Sequence, residues 1–242
     1  MMRSNARVHI KVGIIGSMEV EVSRLVASLE DESVSTVAGM DFHSGTLDGV
    51  PVVVVRSGVG KVNAGMCVQV LVDRYGVTHV VNTGIAGSLD ARIDVGDVVV
   101  STDCRYHDVD ATVFGYEPGE IPQLGCVGFS ADEGLRAQAV AAVHDVAGDV
   151  RAFEGRVVSG DVFVADAGER ERLARDFGGM CCEMEGAAVA QAAWLNRVPF
   201  VVVRAISDKP GSTTPMEYSA FETAAAEHCA AIVERMVTRL GE

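Results

Sequence analysis

The chain has 242 residues, of which 48% are hydrophobic and 5% aromatic, and its formal charge is −14 at pH 7. A chain of this length can bury one sizeable core as a single domain. The acidic charge argues against a nucleic-acid partner, because nucleic-acid affinity comes mainly from lysine and arginine side chains that neutralise phosphates. No apolar stretch approaches the roughly 18 residues that a membrane span needs, so no membrane association is expected.

The N-terminal residues and the cysteines indicate the cellular compartment. Residues 1–7 carry no apolar signal core, so we expect a flexible N-terminal extension, a single domain over 8–242 and a cytoplasmic location. The six cysteines form no CxxC pair, and a chain of this size needs no disulfides for stability. We therefore predict free thiols, and no zinc site, at Cys67, Cys104, Cys126, Cys181, Cys182 and Cys229.

Strand and helix patterns alternate along the chain with short connections. In chain order, the first half predicts a strand at 8–16, a helix at 19–29, a strand at 52–57, a helix that follows the turn 58–61 and runs through 75, and strands at 77–84 and 97–101. The second half predicts helices at 132–146, 167–177, 185–196 and 217–240, with strands at 155–160 and 198–203. Such alternation is typical of an α/β fold with a mostly parallel sheet covered by helices.

The longest stretch without clear periodicity is 104–129. Long irregular segments inside a compact domain are usually lids, binding loops or subunit contacts. We therefore expect this segment to serve a functional site or a dimer contact.

A glycine-rich turn at 58–61 resembles two phosphate-binding motifs, the dinucleotide fingerprint and the P-loop, but matches neither of them completely. Gly58 and Gly60 match two glycines of the dinucleotide fingerprint, yet Asn63 stands where the third belongs. Lys61 is followed by Val62, whereas a P-loop uses Ser or Thr there to bind magnesium. A tight strand-to-helix turn is the better interpretation.

The segment around His107, Asp108 and Asp110 contains residue types that can bind a metal ion. No third His or Cys stands at ligand spacing. We therefore expect a hydrogen-bonded loop cluster and no metal site.

The apolar run 198–203 leads into a polar cluster that contains Ser207 and Asp208. Open α/β sheets bind their ligands at the carboxyl ends of parallel strands. Taken singly, an acidic residue near such an end is more often a helix-face or capping carboxylate. Cleavage of a glycosidic bond, however, needs one protonated acid for the leaving group and one ionised base for water. Three further carboxylates are candidates for this edge: Glu21, Glu183 and Glu185.

Seven spaced motifs carry a resemblance that covers nearly the whole chain. They are GIIGSMEVE (13–21), SGVGK (57–61), NTGIAG (82–87), RYHD (105–108), SGDVF (159–163), EME (183–185) and RAISD (204–208). In this order they closely resemble the 5′-methylthioadenosine/S-adenosylhomocysteine nucleosidase family of the nucleoside phosphorylase/hydrolase superfamily. The resemblance implies a three-layer α/β/α sandwich with a central mixed, mostly parallel sheet, a homodimer, and hydrolysis that releases adenine without a metal or organic cofactor.

The resemblance also implies roles for the matched polar residues. Asp208 stands at the position of the general acid, which donates a proton towards adenine N7, and Ser207 would hold its carboxyl group. Glu21 matches the residue that orients and deprotonates the attacking water, with Arg204 nearby. Glu185 matches the residue that accepts hydrogen bonds from the ribose hydroxyls.

Further substrate contacts are implied by the resemblance. Phe163 would stack on the purine, with the backbone of Val164 at its N1 and N6 edge, and Pro122 would come from the partner subunit. A 5′-alkylthio group needs an apolar pocket, and the residues expected around the ribose and this group are Met18, Val59, Phe114, Met184 and Tyr218. The other expected substrate contacts are Ile85, Gly87 and Glu183.

The sequence leaves alternative activities open. Phosphorolysis needs converging basic groups for phosphate, but the first turn carries Glu19 and Glu21, and Asn82 follows the strand where phosphorylases place an arginine. A non-catalytic nucleoside-binding scaffold could lack Glu21 or Asp208, yet both are present. The resemblance places the chain in methionine salvage, with 5′-deoxyadenosine as a further expected substrate. Departures such as Tyr218 leave the preference open, and 6-amino-6-deoxyfutalosine, a menaquinone precursor, is an alternative substrate.

Overall fold

The computed structural model describes residues 10–148, 150–209 and 215–242, and in the last range it describes side chains from residue 221 onwards. The predicted extension at 1–7, its boundary at residue 8 and the side chain of Tyr218 lie outside the described residues. None of the helices in these ranges is long and apolar enough to cross a membrane.

Ten strands of the described residues form one mixed sheet. They are β1 (Val12–Gly16), β2 (Glu30–Val37), β3 (Met40–Leu47), β4 (Val50–Arg56), β5 (His79–Ser88), β6 (Val98–Tyr106), β7 (Phe129–Ser130), β8 (Ala152–Ser159), β9 (Gly179–Glu183) and β10 (Phe200–Asp208). Their order is β10-β6-β8-β9-β5-β1-β4-β3-β2, with β7 beside β6 and an additional pairing of β10 with β5.

Parallel pairings form the centre of this sheet. β1 pairs in parallel with β4 and β5, and β5 pairs in parallel with β10. The β2–β3–β4 edge is antiparallel, as are the pairs β5–β9 and β6–β10. The predicted α/β fold with a mixed sheet is therefore confirmed, with its parallel character concentrated at the centre and in β6–β8–β9.

Six α-helices of the described residues cover the sheet. They are α1 (Glu19–Ala27), α2 (Lys61–Tyr75), α3 (Glu133–Val146), α4 (Ala167–Phe177), α5 (Gly186–Asn196) and α6 (Pro215–Gly241). Helix α6 packs against α1 and α3, whereas α2 packs against α5. These two separate groups of helices are what a three-layer α/β/α sandwich requires.

Local signals determine several helix ends. Asp132 and Asp166 precede α3 and α4, and their side chains accept hydrogen bonds from Leu135 N and Glu169 N, both at 2.9 Å. Helix α4 ends before Gly178, which has a left-handed conformation at φ 65°. The bounds predicted for α4 and the C-terminal end predicted for α2 are confirmed, and α2 begins at Lys61, one residue earlier than predicted.

Strands β2, β3, β7 and β9 were not predicted. Strand β2 begins with Glu30, Asp31 and Glu32, and its side chains are almost all exposed. It lies at the edge of the sheet, where charged residues prevent pairing with another chain. A strand with no buried face has no alternation of apolar and polar residues, so its sequence contains no strand signal.

The central strands bring three distant parts of the chain together. In the register of the sheet, Arg204 of β10 lies beside Gly84 of β5, and Asp208 lies beside Gly87. Gly87 in turn pairs with Cys182 of β9. The motifs that the sequence separates by about 100 residues therefore meet at one end of the sheet.

We expect Phe42→Ala to lower the free energy of unfolding by about 3–5 kcal/mol, because it leaves a cavity in the core. The Phe42 side chain is fully buried and stacks on Tyr75 with ring centroids 5.0 Å apart. Urea unfolding measures the loss. Val34→Ala on the exposed edge strand is the control, since Val34 is 55% exposed. Equal losses in both variants would contradict this account of the core.

Candidate active site

A cavity of about 190 Å³ lies at the carboxyl ends of β1, β5 and β10. The turn after β4, the loop after β8 and the end of β9 complete its wall. The predicted site residues that line it are Met18, Glu21, Val59, Ile85, Gly87, Phe163, Val164, Glu183, Met184, Glu185, Ser207 and Asp208. The fold therefore gathers most of the predicted site in one place.

Glu21 is held by four donors at the start of α1. Its Oε2 accepts hydrogen bonds from Ser17 N at 2.7 Å, Ser17 Oγ at 2.9 Å and Met18 N at 2.9 Å. Its Oε1 accepts one from Ile85 N at 3.1 Å. A methyl group on Gly84 would overlap Glu21 Oε1, so the bare glycine backbone is required there. Glu21 is thus a buried acceptor in a fixed position on the cavity wall.

Arg204 lies beneath the cavity and does not line it. Only 2% of the residue is exposed, and its Nη2 donates to Asn82 Oδ1 and to Glu183 Oε2, both at 2.5 Å. Burial alone would lower the pKa of Arg204, but the surrounding carboxylates of Glu183, Glu21 and Glu185 raise it. Arg204 is therefore a permanent positive charge under a group of acidic residues.

Glu183 lines the cavity, yet both of its oxygens already accept hydrogen bonds from protein donors. Besides Arg204, the donors are Ser159 Oγ, Glu185 N at 3.1 Å and Gly186 N at 2.8 Å. The backbone donors belong to the first turn of α5, where an acidic group is favourable. These contacts give Glu183 a structural role that anchors α5 next to the cavity.

Glu185 has fewer partners than the other buried acids. Its Oε1 accepts a hydrogen bond from Gly60 N at 2.8 Å, and no described protein group donates to Oε2. Burial and then the negative charge of Glu183 raise the pKa of Glu185 to about 7. This side chain is the buried acid whose charge changes near neutral pH.

Asp208 ends β10 and is bound from two sides. Its Oδ1 accepts a hydrogen bond from Ser207 Oγ at 2.9 Å, as the prediction for Ser207 requires. Its Oδ2 is paired with Arg170 Nη2, and both side chains are almost fully buried, at 4% and 6% exposure. Arg170 also donates from Nε to the carbonyl oxygen of Val164 at 3.1 Å.

Five cavity residues were not predicted: Ser17, Ala86, Val162, Arg170 and Cys182. Four of them stand beside a predicted residue in the chain, so adjacency to the motifs could have identified them. Arg170 stands outside every motif. Its signal is spacing, because Arg170, Leu173 and Phe177 are the buried residues of α4 and share one helix face.

Two predicted pocket residues lie away from the cavity of this chain. Phe114 is 80% exposed, and Pro122 is also exposed; both belong to the segment that follows β6. Phe163, by contrast, is 61% exposed and forms part of the cavity wall. Tyr218, whose side chain is outside the described residues, cannot be placed.

The glycine-rich turn binds carboxylates of its own chain. Gly60 N donates to Glu185, as above, and Lys61 N donates to Asp161 Oδ1 at 2.9 Å. Lys61 Nζ and Asp161 N both donate to Asp108 Oδ2, at 2.6 and 2.8 Å. In the described part of the chain, no three His, Cys, Asp or Glu residues are grouped so that they could hold a metal ion. Each of the six cysteines is a free thiol.

Glu185 predicts how stability depends on pH. Because its pKa rises from 4.5 to about 7 on folding, the folded protein holds this proton over a pH range in which the unfolded chain releases it. The free energy of unfolding should therefore fall between about pH 5 and about pH 8, by on the order of 2 kcal/mol more than in Glu185→Gln.

Urea unfolding of both proteins at the two pH values measures this difference. Glu19→Gln is the control, since the Glu19 side chain is 70% exposed, and it should follow the wild type. A Glu185→Gln protein with the wild-type pH dependence would show that Glu185 is not the responsible group.

Comparison with known proteins identifies relatives over nearly the whole chain. A family model described as the phosphorylase superfamily matches residues 11–238. The chain is 44% identical over 232 residues to a 5′-methylthioadenosine/S-adenosylhomocysteine nucleosidase of Chromohalobacter salexigens. The aligned region covers 96% of this chain and 98% of the relative. It is 40% identical to the nucleosidase of that name from Shewanella loihica, over 96% of this chain and 100% of the relative.

Solved structures agree with these sequence matches. The nucleosidase of Colwellia psychrerythraea, in complex with adenine, superposes with a TM-score of 0.91 at 41% identity over 96% of both chains. The Neisseria meningitidis nucleosidase, in complex with methylthio-immucillin-A, has a TM-score of 0.89 at 34% identity, over 95% of this chain and 99% of that one. The chain therefore belongs to the phosphorylase superfamily and, within it, to the 5′-methylthioadenosine/S-adenosylhomocysteine nucleosidase family.

Proposed function

We propose that this chain hydrolyses the N-glycosidic bond of 5′-methylthioadenosine and S-adenosylhomocysteine and releases adenine. The observation that carries the proposal is the presence of two separately held carboxyl groups, Glu21 and Asp208, on one cavity. Glu21 contacts β5 at Ile85, and Asp208 lies beside Gly87 of the same strand. These points are two residues, or about 7 Å, apart along the strand, so the two groups can serve different atoms of one substrate.

In this proposal Asp208 acts on the leaving base and Glu21 acts on water. Adenine leaves poorly as an anion, so a positioned acid contributes about 10²- to 10⁴-fold. Asp208 transfers its proton to the base, and the electron pair of the broken C–N bond stays with the departing base. Glu21, an acceptor held by four donors, takes a proton from the water whose oxygen bonds to the ribosyl carbon.

The rest of the cavity suits the other parts of such a substrate. The Oε2 atom of Glu185, to which no described protein group donates, is available to ribose hydroxyls. Met18, Val59 and Met184 provide apolar side chains for the 5′-thio group. Phe163 lies where an aromatic ring can cover the purine.

Hydrolysis is favoured over phosphorolysis by the charges around the cavity. Its wall carries the acidic residues Glu21, Glu183 and Glu185, and the arginine in the wall, Arg170, is already paired with Asp208. A phosphate dianion needs converging positive groups and would be repelled by the carboxylates. The cytoplasmic location, the role in methionine salvage and the use of 5′-deoxyadenosine stay predictions of the family resemblance.

We also propose that the protein is a homodimer that joins through an apolar face of α2, α5 and the segment after β6. Exposed apolar residues on this face are Val62, Met66, Val113, Phe114, Trp194 and Leu195. Val62 and Leu195 also line an apolar groove between α2, α5 and the segment after β6. Large exposed apolar patches are typical of protein contacts. In the dimer, Phe114 and Pro122 of one subunit would reach the cavity of the other.

The activity is tested by adenine release from 5′-methylthioadenosine, with and without phosphate. We expect free methylthioribose at equal rates in both buffers, and phosphate-dependent methylthioribose 1-phosphate would contradict hydrolysis. Glu21→Gln should lower kcat by about 10²- to 10⁴-fold, because the water loses its base. The matched control is Glu19→Gln, two residues away on the exposed side of α1, which should keep wild-type activity.

The dimer is tested by Leu195→Glu, which introduces a charge into the apolar face. Leu195 is 56% exposed in a single chain, so the variant should fold, shift from dimer to monomer in light scattering and lose activity with the methylthio substrate. Val34→Glu, on the exposed edge strand β2, should stay dimeric. A wild type that is monomeric at micromolar concentration would exclude the proposed assembly.

A further inference from the structure

Arg170 is the cavity residue that the proposed mechanism leaves without a task. It is 6% exposed and lies on α4, outside every motif of the sequence. Its guanidinium contacts two groups that are proposed to meet the base: the carboxyl group of Asp208 and the carbonyl oxygen of Val164. An arginine that joins these two groups fixes the geometry of the base end of the cavity.

Gly87 of β5 packs closely against the contact between Arg170 and Asp208. A methyl group on Gly87 would lie 3.2 Å from both Arg170 Nη1 and Asp208 Oδ2. Nη1 is buried and has no hydrogen-bond partner among the described residues. The absent side chain at Gly87 therefore lets the guanidinium and the carboxyl group approach β5 closely, and the carboxyl group has little freedom to turn.

Stability alone does not account for this ion pair. A buried ion pair usually contributes no more to stability than apolar side chains of the same size, because both charges lose their water. Among the described residues, three uncharged groups also lie next to Asp208: Ser207 on its own strand, Gly87 on β5 and, on β9, the thiol of Cys182, whose pKa burial raises to about 12. Arg170 is the charged side chain that contacts Asp208 directly, so it interacts most strongly with any change in the charge of Asp208.

We propose that Arg170 is a positioning residue for proton transfer from Asp208 to the leaving base. This inference rests on the proposed function. When Asp208 gives up its proton, the base gains the proton and the carboxyl group becomes a carboxylate beside a guanidinium that is already in place. Donors fixed in advance where charge develops stabilise a transition state strongly.

The test compares two leaving groups. 5′-Methylthioadenosine needs a proton on its base, whereas the 4-nitrophenolate of 4-nitrophenyl 5-methylthioriboside leaves as a stable anion without one. The ratio of kcat for the first substrate to kcat for the second therefore reports on the acid alone. It is measured in the wild type, Arg170→Gln, Asp208→Asn and the double variant.

We expect Arg170→Gln to lower this ratio by roughly 10- to 100-fold. In the Asp208→Asn background the same substitution should have almost no further effect, because Arg170 acts through Asp208. Arg175→Gln is the matched control: it removes an arginine from the same helix, but the Arg175 side chain is 69% exposed and pairs with Asp176. Its ratio should equal that of the wild type.

Equal losses with both substrates, an unchanged ratio, or additive losses in the double variant would overturn the proposal and leave Arg170 a structural residue. Thermal melting shows whether Arg170→Gln folds. If it does not, Gly87→Ala keeps the guanidinium and crowds its contact with Asp208, and an unchanged ratio there overturns the proposal as well. A wild type that releases no adenine would instead refute the proposed function, so the two failures are distinguishable.

Discussion

The guanidinium group of Arg204 joins three parts of the structure in the buried region beneath the cavity. It donates hydrogen bonds to Asn82 of β5 and to Glu183 at the end of β9. The carboxylates of Glu21 and Glu185 lie close enough to raise the pKa of Arg204. Glu183 then holds the first backbone N–H groups of α5. The positions of both strands and of the α5 start, and so of Glu185, depend on this one buried cation.

Each buried acid of the cavity is stabilised in a different way. Glu21 accepts three of its four hydrogen bonds from backbone N–H groups, Glu183 is paired with Arg204, and Asp208 is paired with Arg170. Breaking such a buried pair costs about 3–5 kcal/mol, because an uncompensated charge is left behind. Glu185, with one backbone donor, is the acid whose pKa burial raises to about 7. Separate partners therefore hold four acids in fixed positions around one cavity.

The glycine-rich turn shows how the same local structure can serve a different ligand. Its N–H groups at Gly60 and Lys61 donate to carboxylates of the same chain, where a phosphate loop would donate to a nucleotide. The turn is thereby tied to Glu185 and Asp161, which are more than 90 residues away in the chain. Its role is to fix the position of Glu185 on the cavity wall.

The amino-acid sequence by itself determined the alternation of strands and helices, the bounds of α4, the C-terminal end of α2, and the acidic edge at Asp208. These features depend on local periodicity and capping, which act over a few residues. The sequence did not reveal the exposed strand β2, because a strand without a buried face has no apolar pattern. It also did not show that Arg170 meets Asp208, 38 residues later, or that Phe114 lies outside the cavity of its own chain. Those contacts were decided by the tertiary structure, because the pairing of a buried charge depends on which strands and helices become neighbours in space, and the local pattern around each residue does not encode its distant partner.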